Sequence, residues 1–296
     1  MVESGTCVLG KYVLRDRIGS GAFGEVWSAD TISTGQAVAV KIERNQGNPA
    51  PTLQYESRVM QLLQTMNGIP KLRYFGRSDE MDSIFMVTDL LGASLETVAN
   101  SQRLDMRVNL IRNPSPHHTD FISDIGRQML QRIKDVHARG MLHRDIKPDN
   151  FLFARTPVLD LSKRANSKPT ESMPLLHIID FGMAKRIDAH SSDSGGSLIG
   201  SPRYASVFAH RGEPLGRRDD LISMMYSLIY VVNGGALPWI NHTEQEILYI
   251  KNDLLPSELC AELCDRHANG WSAILEQLYA MKCNQNPNYA QIESLL

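Results

Sequence analysis

The sequence predicts an α+β fold: a strand-rich N-terminal lobe with one helix, followed by a larger helical C-terminal lobe. Two short segments, 38–42 and 84–88, are rich in β-branched residues, as strands are. Residues 53–66 lie between them and repeat apolar residues with helical spacing, and apolar residues recur every three or four positions from residue 120 onward. We therefore expect the first lobe over residues 1–90 and the second over residues 91–296.

The chain has 296 residues, which is long enough for two lobes with a sizeable core. Its 31 basic and 33 acidic side chains give a net charge of −2, which argues against a dedicated nucleic-acid binder. Four cysteines are too few for a secreted disulfide scaffold and fit a reducing compartment, so we expect a cytoplasmic or nuclear protein. We also expect a monomer without a membrane partner, because no apolar run is long enough to span a bilayer.

Two helices of the C-terminal lobe have recognisable ends. The helix that starts near residue 120 has Thr119 as its expected N-cap, because a threonine hydroxyl accepts a hydrogen bond from the first helical turn. The apolar run 221–232 is interrupted by two serines and indicates a helix buried in a protein core. Gly234 and Gly235 follow it as a plausible helix stop.

Two short apolar runs, 151–153 and 175–179, are interpreted as strands. The stretch 154–174 between them is polar and contains three prolines. We expect it to form a surface loop.

The stretch Gly19-Ser20-Gly21-Ala22-Phe23-Gly24 matches the pattern G-x-G-x-x-G of phosphate-binding loops. In a dinucleotide-binding fold such glycines open a helix and an acidic residue follows about 20 positions later, which Glu43 would satisfy. The residues after Gly24 instead alternate like a strand, which favours a hairpin that covers the phosphates of a nucleotide. On this stretch alone, a plain hairpin turn is the alternative.

Ala39 and Lys41 lie on one face of the predicted strand, because strand side chains alternate. A small residue beside a cation suits a pocket that takes adenine and reaches its phosphates. Glu56 falls on the inward apolar stripe of the following helix, and a buried carboxylate needs a cation because breaking a buried ion pair costs ~3–5 kcal/mol. We therefore expect a Lys41–Glu56 ion pair, against the alternative that Lys41 is an ordinary solvated lysine.

The residues from His143 to Asn150, HRDIKPDN, match the catalytic-loop pattern H-R-D-x-K-x-x-N of protein kinases at every defined position. Asp145 is then the base that accepts the proton of the substrate hydroxyl, and Asn150 is a Mg²⁺ ligand. Asp180-Phe181-Gly182 follows an apolar strand, where the second Mg²⁺-binding residue, Asp180, is expected. Lys147, two residues after the base, is the pattern of serine/threonine kinases.

Two functions stay open at this point. The favoured one is an ATP- and Mg²⁺-dependent protein serine/threonine kinase with Asp145, Lys147, Lys41 and Glu56 as its catalytic residues and proteins as its substrates. The other is a nucleotide-binding pseudokinase that serves as a scaffold for a partner. Pseudokinases usually lack residues equivalent to Lys41, Asp145 or Asp180, and this chain has all three.

The segments HRDIKPDNFL, GSPRYAS and RRDDL resemble the casein kinase I group of protein kinases, including its tau-tubulin kinase branch. The resemblance extends over roughly residues 12–296. Its specific mark is Tyr204-Ala205-Ser206, where most protein kinases have Y-x-A-P-E. It implies a protein-kinase-like two-lobed fold, ATP and Mg²⁺ as cofactors, and serine or threonine acceptors in protein substrates.

The resemblance also implies roles for residues around the nucleotide. Thr88 corresponds to the gatekeeper, Ser94 would approach the ribose, and the backbones of Asp89 and Leu91 would bond adenine. Four apolar side chains would line the adenine: Ile18, Val26, Ala39 and Leu152. The full set of expected nucleotide-binding residues is Ile18, Gly19, Ser20, Gly21, Ala22, Phe23, Gly24, Val26, Ala39, Lys41, Asp89, Leu91, Ser94, Leu152 and Asp180.

Two positions of the C-terminal lobe correspond to supporting residues of the group. Asp220 corresponds to the aspartate that braces the catalytic loop. Ser201 corresponds to the hydroxyl residue that contacts the catalytic base.

The chain departs from the group in its basic residues. Arg203 corresponds to the group's phosphate-binding arginine, but the region after Leu237-Pro238-Trp239 has two acids and no basic residue before Lys251. We therefore expect a weaker preference for phospho-primed substrates, with Arg203 carrying what is left. Lys251 and Arg144 are the alternative anion sites.

A metal site is the other chemistry that the sequence offers. Cys260 and Cys264 are four residues apart and fit one helix face. No further ligands with zinc spacing accompany them, which favours buried thiols.

Overall fold

A computed structural model of the chain describes residues 2–21, 24–45, 52–100, 116–155, 173–187, 198–263 and 268–296. The chain divides into two compact units. The first comprises residues 1–92 and 179–182, and the second comprises residues 93–178 and 183–296. Strands dominate the first unit and helices the second, which confirms the predicted α+β class.

A six-stranded antiparallel sheet forms the framework of the first unit, in the order β1-β2-β3-β4-β6-β5. Its strands are β1 (Cys7–Val8), β2 (Tyr12–Gly21), β3 (Gly24–Thr31), β4 (Ala37–Arg44), β5 (Leu72–Ser78) and β6 (Ser83–Asp89). The helix α1 (Thr52–Leu63) lies between β4 and β5 along the chain.

Side chains alternate between the two faces of this sheet along each strand, so the two faces carry different sets of residues. Trp27, Val38, Val40 and Phe85 lie in a buried apolar cluster on one face. The residues between them therefore belong to the opposite face. The face opposite the apolar cluster is therefore available for functional side chains.

The helix α1 is shorter than the predicted segment 53–66. It ends at Leu63, and the next residues form tight turns in which Gln64 and Met66 donate backbone hydrogen bonds three residues back. The inward stripe is as expected, since Leu53, Met60 and Leu63 are buried together with Glu56.

Seven helices of the second unit have defined bounds within the described residues. They are α2 (Pro116–Ala138), α3 (Val207–His210), α4 (Arg217–Val232), α5 (Glu244–Asp253), α6 (Pro256–Leu263), α7 (Ala268–Ala280) and α8 (Tyr289–Leu295). Two small antiparallel sheets pair β7 (Met141–Leu142) with β10 (Lys185–Arg186) and β8 (Phe151–Phe153) with β9 (Leu176–Ile178). In the described part of the chain, no helix combines the length and apolarity that a membrane span needs.

The helix α4 is buried along nearly its whole length and forms the centre of the second unit. Its apolar residues fall on all sides, as expected of a core helix. It ends before Asn233, and Gly234 and Gly235 follow with φ of 58° and 83°. These left-handed conformations end the helix at the predicted place.

Two expectations about the second unit have different outcomes. The helix α2 begins at Pro116, three residues before Thr119, so the N-cap prediction is wrong. Proline suits a first helical position because its missing N–H has no partner there in any helix. The strands on either side of the predicted loop 154–174 pair with each other, but residues 156–172 lie outside the described residues.

Candidate active site

The sheet face opposite the apolar cluster presents the residues expected around a nucleotide. Val26 lies opposite Lys41 on the neighbouring strand, and Ala39 lies opposite Thr88. Directly opposite residues of paired strands point to the same face. Val26, Ala39, Lys41 and Thr88 therefore share one face, with the smallest side chain in the centre and the cation at one end.

The glycine-rich stretch forms the β2–β3 hairpin, in which Gly21 pairs with Gly24. Gly24 has a φ of 120°, and a side chain on it would collide with the carbonyl oxygen of Ile42. Only glycine allows the hairpin to approach β4 so closely. Because β2 and β3 continue as strands on both sides, the dinucleotide-fold alternative is wrong. Ala22 and Phe23 lie outside the described residues.

The remaining residues of the hairpin are accessible. Gly19 pairs with Val26, and the pairing shifts register on either side of Arg17. Ile18 lies at this irregularity and is 52% exposed, although it is a large apolar residue. Ser20 is also exposed. Exposed apolar surface beside a glycine hairpin suits a ligand that covers it.

Lys41 forms the expected ion pair. Its Nζ donates to Glu56 Oε2 at 2.7 Å and to Asp180 Oδ1 at 3.1 Å. Burial lowers the pKa of Lys41, but the two carboxylates outweigh it and hold this pKa above its ordinary value. Burial raises the pKa of Glu56, and Lys41 only partly offsets this effect. The ammonium is therefore permanently charged and held in place, as an anchor for phosphate must be.

Glu43, considered from the sequence only as the acidic residue of a dinucleotide-binding fold, has a different role in the structure. Its Oε1 accepts a hydrogen bond from the backbone N–H of Thr52 at 3.1 Å, and its Oε2 accepts one from Leu53 at 2.6 Å. These are two of the N–H groups that a helix start leaves unpaired. Since Glu43 is two residues after Lys41, β4 holds α1 both at its N-terminus and at Glu56.

Asp89 and Leu91, whose backbones are expected to bond adenine, lie at the end of β6 and just after it. The Asp89 side chain accepts hydrogen bonds from Arg73 Nε at 2.6 Å and from the Lys71 backbone at 3.1 Å. Its N–H donates to the carbonyl of Lys71. The carboxylate and the N–H of Asp89 thus have partners within the first unit. The expected adenine contact would use the backbone carbonyl of Asp89, which also accepts a hydrogen bond from the Thr88 hydroxyl at 3.3 Å.

Asp145 is the centre of a tight polar cluster in the second unit. Its Oδ2 accepts a hydrogen bond from Lys147 Nζ at 2.7 Å. Its Oδ1 accepts from both the backbone N–H and the hydroxyl of Ser201, at 3.0 and 2.9 Å. Lys147 Nζ also donates to Ser201 Oγ at 3.3 Å. The structure thus brings together the base, the lysine and the hydroxyl residue that the sequence predicted.

Gly200 explains how Ser201 comes so close to the catalytic loop. Its φ is 86°, and a Cβ at this position would lie 2.5 Å from the carbonyl oxygen of Arg144. A larger residue would push the backbone away from Asp145. This glycine is part of the segment GSPRYAS that resembles the casein kinase I group. Its close approach to the backbone of Arg144 is visible only in the structure.

The two expected Mg²⁺ ligands each have the right chemistry. Asn150 Nδ2 donates to the carbonyl of Asp145 at 2.9 Å, which directs the amide oxygen of Asn150 away as a potential ligand. Asp180 supplies carboxylate oxygens in the first unit. Hard oxygen donors of these two kinds are what Mg²⁺ prefers. Among the described residues, no group of three or more histidine, cysteine, aspartate or glutamate side chains has the arrangement of a protein-built metal site.

Asp220 holds the backbone of the catalytic loop by hydrogen bonds. Its Oδ2 accepts from the backbone N–H of His143 and its Oδ1 from that of Arg144, both at 2.8 Å. Burial raises the pKa of Asp220, but the hydrogen bond from His137 and the nearby His143 outweigh it and hold this pKa below its ordinary value. Asp220 therefore stays ionised and accepts these bonds.

Two residues of the site are held in the left-handed backbone region that non-glycine residues rarely adopt. Arg144 has a φ of 66° and Asp180 one of 64°. Such conformations cost about 1–3 kcal/mol each and persist where surrounding contacts fix them. For Arg144 these contacts include Asp220 and the carbonyl of Met183, to which Arg144 Nε donates at 2.7 Å.

Ser94 and Leu152 lie side by side in the second unit, where they form an isolated β-bridge. The Ser94 hydroxyl accepts a hydrogen bond from the N–H of Thr97 at 3.1 Å, so it caps a helical turn. The expected ribose contact of Ser94 stays a prediction. Leu152 is half-buried in β8.

The second chemistry considered from the sequence involved Cys260 and Cys264. Cys260 is a free, fully buried thiol, and burial raises its pKa to about 11. Such a thiol is protonated at neutral pH and is a poor metal ligand. Cys264 lies outside the described residues.

A comparison with protein families agrees with this geometry. The family model of the protein kinase domain matches residues 12–291. The match includes the glycine hairpin, Lys41, Glu56, the catalytic loop and Asp180. This chain therefore belongs to the protein kinase family.

Proposed function

We propose that this protein kinase transfers the γ-phosphoryl group of ATP to serine and threonine hydroxyls of protein substrates, in the manner of the casein kinase I group. The observation that carries the proposal is the contact of Lys147 with both Asp145 and Ser201. This lysine places a positive charge beside the base, where negative charge develops on the transferred phosphoryl group.

The residues divide the reaction between them. Lys41, held by Glu56, binds phosphate oxygens of ATP. Asn150 and Asp180 would hold Mg²⁺, which supplies positive charge against the phosphates. Asp145 orients the substrate hydroxyl and takes its proton as the new O–P bond forms and the bond to ADP breaks. Ser201 and Lys147 keep the Asp145 carboxylate in one orientation.

The segment Tyr204-Ala205-Ser206 supports the casein kinase I-like part of the proposal. Ser206 caps α3, since its hydroxyl accepts a hydrogen bond from the N–H of Ala209 at 3.1 Å and donates to Asp219 Oδ1 at 2.5 Å. Ser206 is 1% exposed. A serine thus anchors this segment to α4 through Asp219, at the place where most kinases have an Ala-Pro-Glu sequence.

A phosphoryl-transfer assay tests the proposal. The protein is incubated with labelled ATP and Mg²⁺ in the presence of casein, and the labelled amino acids are identified after hydrolysis. We expect phosphoserine and phosphothreonine, and their loss in an Asp145→Asn variant. Label mainly on tyrosine would overturn the serine/threonine assignment. Nucleotide binding without any transfer would indicate the pseudokinase alternative.

A further inference from the structure

Lys251 is a buried lysine in the last turn of α5. Its side chain is on the interior of the second unit, and the residue is 3% exposed. Its Nζ donates to the carbonyl oxygens of Pro202, Arg203 and Ala205 at 2.9, 3.1 and 2.7 Å. All three N–H groups of an ammonium are thereby used. Among the described residues, no carboxylate lies within ion-pair distance of it.

Burial lowers the pKa of Lys251 below its ordinary value, and two aromatic rings lie beside its ammonium. The Lys251 ammonium lies 4.9 Å from the ring centre of Tyr226 and 4.9 Å from that of Trp239. A cation over an aromatic face at this distance is attracted by the ring, and more strongly where water is excluded. Trp239 Nε1 also donates to the carbonyl of Arg203 at 2.8 Å. The ring and the ammonium thus hold the same backbone segment.

This segment, residues 201–205, is a tight turn. Two of its N–H groups form hydrogen bonds within the turn, and three of its carbonyls accept hydrogen bonds from Lys251. The N–H groups of Tyr204 and Ala205 donate to the carbonyl of Ser201 at 3.0 and 2.9 Å. The carbonyls of Pro202, Arg203 and Ala205 converge on the single ammonium of Lys251. Without Lys251, the carbonyl of Ala205 would lose this hydrogen bond in a buried place, which is costly. The carbonyl of Arg203 would keep Trp239 Nε1 as a donor, and a His210 ring nitrogen would stay near that of Pro202.

The turn leads directly to the catalytic base. Ser201 is its first residue, and Ser201 donates two hydrogen bonds to Asp145 and accepts one from Lys147. A displacement of the turn therefore moves two of the donors that orient the base. His210 closes the same site, with a ring nitrogen 2.9 Å from the Pro202 carbonyl and 3.3 Å from Lys251 Nζ.

We propose that Lys251 is a positioning residue of the kinase reaction: its ammonium fixes the turn 201–205 and, through Ser201, the orientation of Asp145. It acts through the turn and touches neither substrate nor nucleotide. The inference rests on the proposed role of Ser201 and Asp145. It also excludes Lys251 as an anion site for primed substrates, because the donors that would bind phosphate are occupied.

The test compares Lys251→Met, which keeps the length of the side chain and removes its charge, with Lys251→Gln, which keeps amide donors for the carbonyls. Lys282→Met removes an exposed lysine and serves as the control. In Lys251→Met we expect kcat/KM for a protein substrate to fall by about 10–100-fold, because a misplacement of roughly 1 Å costs that much. The KM for ATP should change less than twofold, and Lys251→Gln should recover part of the loss.

Amide hydrogen exchange supplies a readout that does not depend on activity. The N–H groups of Tyr204 and Ala205 should exchange at least tenfold faster in Lys251→Met, while those of α4 keep their protection. Unchanged exchange at these amides, or wild-type kcat/KM in a folded variant, would overturn the proposal. If Lys251→Met does not fold, the same two measurements on Lys251→Gln decide it. A wild-type protein that transfers no phosphate would refute the proposed function instead, and exchange would still report whether Lys251 holds the turn.

Discussion

At the scale of single residues, the proposed reaction depends on how the Asp145 carboxylate is held. Both of its oxygens accept hydrogen bonds, Oδ1 from Ser201 and Oδ2 from Lys147. Donors on both oxygens fix the plane of the carboxylate. In the proposed reaction, the carboxylate would therefore meet the substrate hydroxyl in one orientation.

An Asp145→Asn variant should lose most of its turnover and keep its affinity for nucleotide. Asparagine has the shape of aspartate but cannot take the proton, and general-base catalysis is worth about 10²–10⁴ in rate. The measurement is kcat with a protein substrate, together with nucleotide affinity by calorimetry. Turnover close to that of the wild type would show that Asp145 is not the base.

A second prediction at this scale concerns Thr88, which lies opposite Ala39 on the face that carries Lys41. A Thr88→Met change should weaken inhibitors that extend past this position by about 5–150-fold, since overpacking a filled space costs roughly 1–3 kcal/mol. Inhibition constants measured for wild type, Thr88→Met and a Thr88→Ser control would check this. Equal inhibition of all three proteins would mean that Thr88 does not face the pocket.

Residues differ in how far the sequence predicts their contacts. The Lys41–Glu56 pair was predictable because helical spacing put a carboxylate on a buried stripe. The contact of Lys41 with Asp180, 139 residues away along the chain, was not. The left-handed backbone of Arg144 and Asp180 was not predictable either, because tertiary contacts impose it on residues that ordinarily avoid it.

At the scale of elements, the orientation of α1 decides whether Lys41 keeps its partner. Glu43 is 8% exposed and accepts both N–H groups from the first turn of α1. A negative charge at a helix N-terminus also interacts favourably with the helix dipole. These hydrogen bonds from the first turn of α1 to Glu43 keep Glu56, one turn further along the helix, within hydrogen-bond distance of Lys41.

A Glu43→Ala variant should therefore lower kcat/KM for ATP by about 2–30-fold, which corresponds to the ~0.5–2 kcal/mol that a helix cap contributes. Glu43→Gln keeps an acceptor oxygen and should lie between Glu43→Ala and the wild type. Glu80→Gln, at an exposed position of the same unit, is the control. Equal kinetics for Glu43→Ala and Glu80→Gln would show that Glu43 does not support the ion pair.

The link between α3 and α4 predicts a pH dependence of stability. Burial raises the pKa of Asp219 to about 6 from an ordinary 3.8. A raised pKa in the folded state means that this group contributes stability below pH 3.8 and loses it as the pH rises through about 6. The free energy of unfolding of the wild type relative to Asp219→Asn should therefore fall between pH 4 and pH 7.

Urea unfolding of both proteins at several pH values in this range measures that difference. Subtracting the variant removes the contributions of other groups, including Asp220, whose lowered pKa acts in the opposite direction. Asp253→Asn, at an exposed position, should leave the pH dependence unchanged. A difference that rises with pH would contradict the assignment.

Element boundaries were harder to predict than element types. The spacing of apolar residues identified α1, α2 and α4, because each buries one face or, for α4, all of its faces. The ends of these helices depend on whether local residues favour a helix or a turn, which the spacing of apolar residues does not show. A proline started α2 before Thr119, and tight turns ended α1 at Leu63.

At the scale of the whole molecule, the motifs and two of their supporting residues, Asp220 and Ser201, were predicted, whereas the support from Lys251 was not. The catalytic loop and the glycine hairpin are continuous in sequence, and their chemistry needs fixed residue types at fixed spacing. Lys251 supports the turn 201–205 from 46 to 49 residues away. A lone lysine in a sequence is ordinarily solvated, so only the fold shows that this one is buried.

The surface charge of the molecule leads to a prediction about its choice of substrates. The α5 region has Glu244 and Glu246 where the casein kinase I group has basic residues, and Lys251 is committed to backbone carbonyls. Arg203 remains accessible in part, with its guanidinium 5.9 Å from the ring centres of Tyr204 and Tyr230. We therefore expect a single arginine to provide most of any preference for a phosphorylated substrate.

The comparison uses a peptide with phosphoserine three residues before the acceptor and its alanine counterpart. A charge-assisted hydrogen bond contributes ~1.5–3 kcal/mol, so one arginine supports a gain in kcat/KM of about tenfold to a hundredfold at most, and the repulsion by Glu244 and Glu246 reduces it. Arg203→Ala should remove the gain, and Arg203→Lys should restore part of it because lysine keeps the charge but not the planar fork. The gain should also shrink as salt is added, since the site is near solvent. A gain of many tens-fold in kcat/KM that survives Arg203→Ala would place the anion site elsewhere. Arg144 would then be the residue to change next, because all three N–H groups of the Lys251 ammonium already donate to backbone carbonyls.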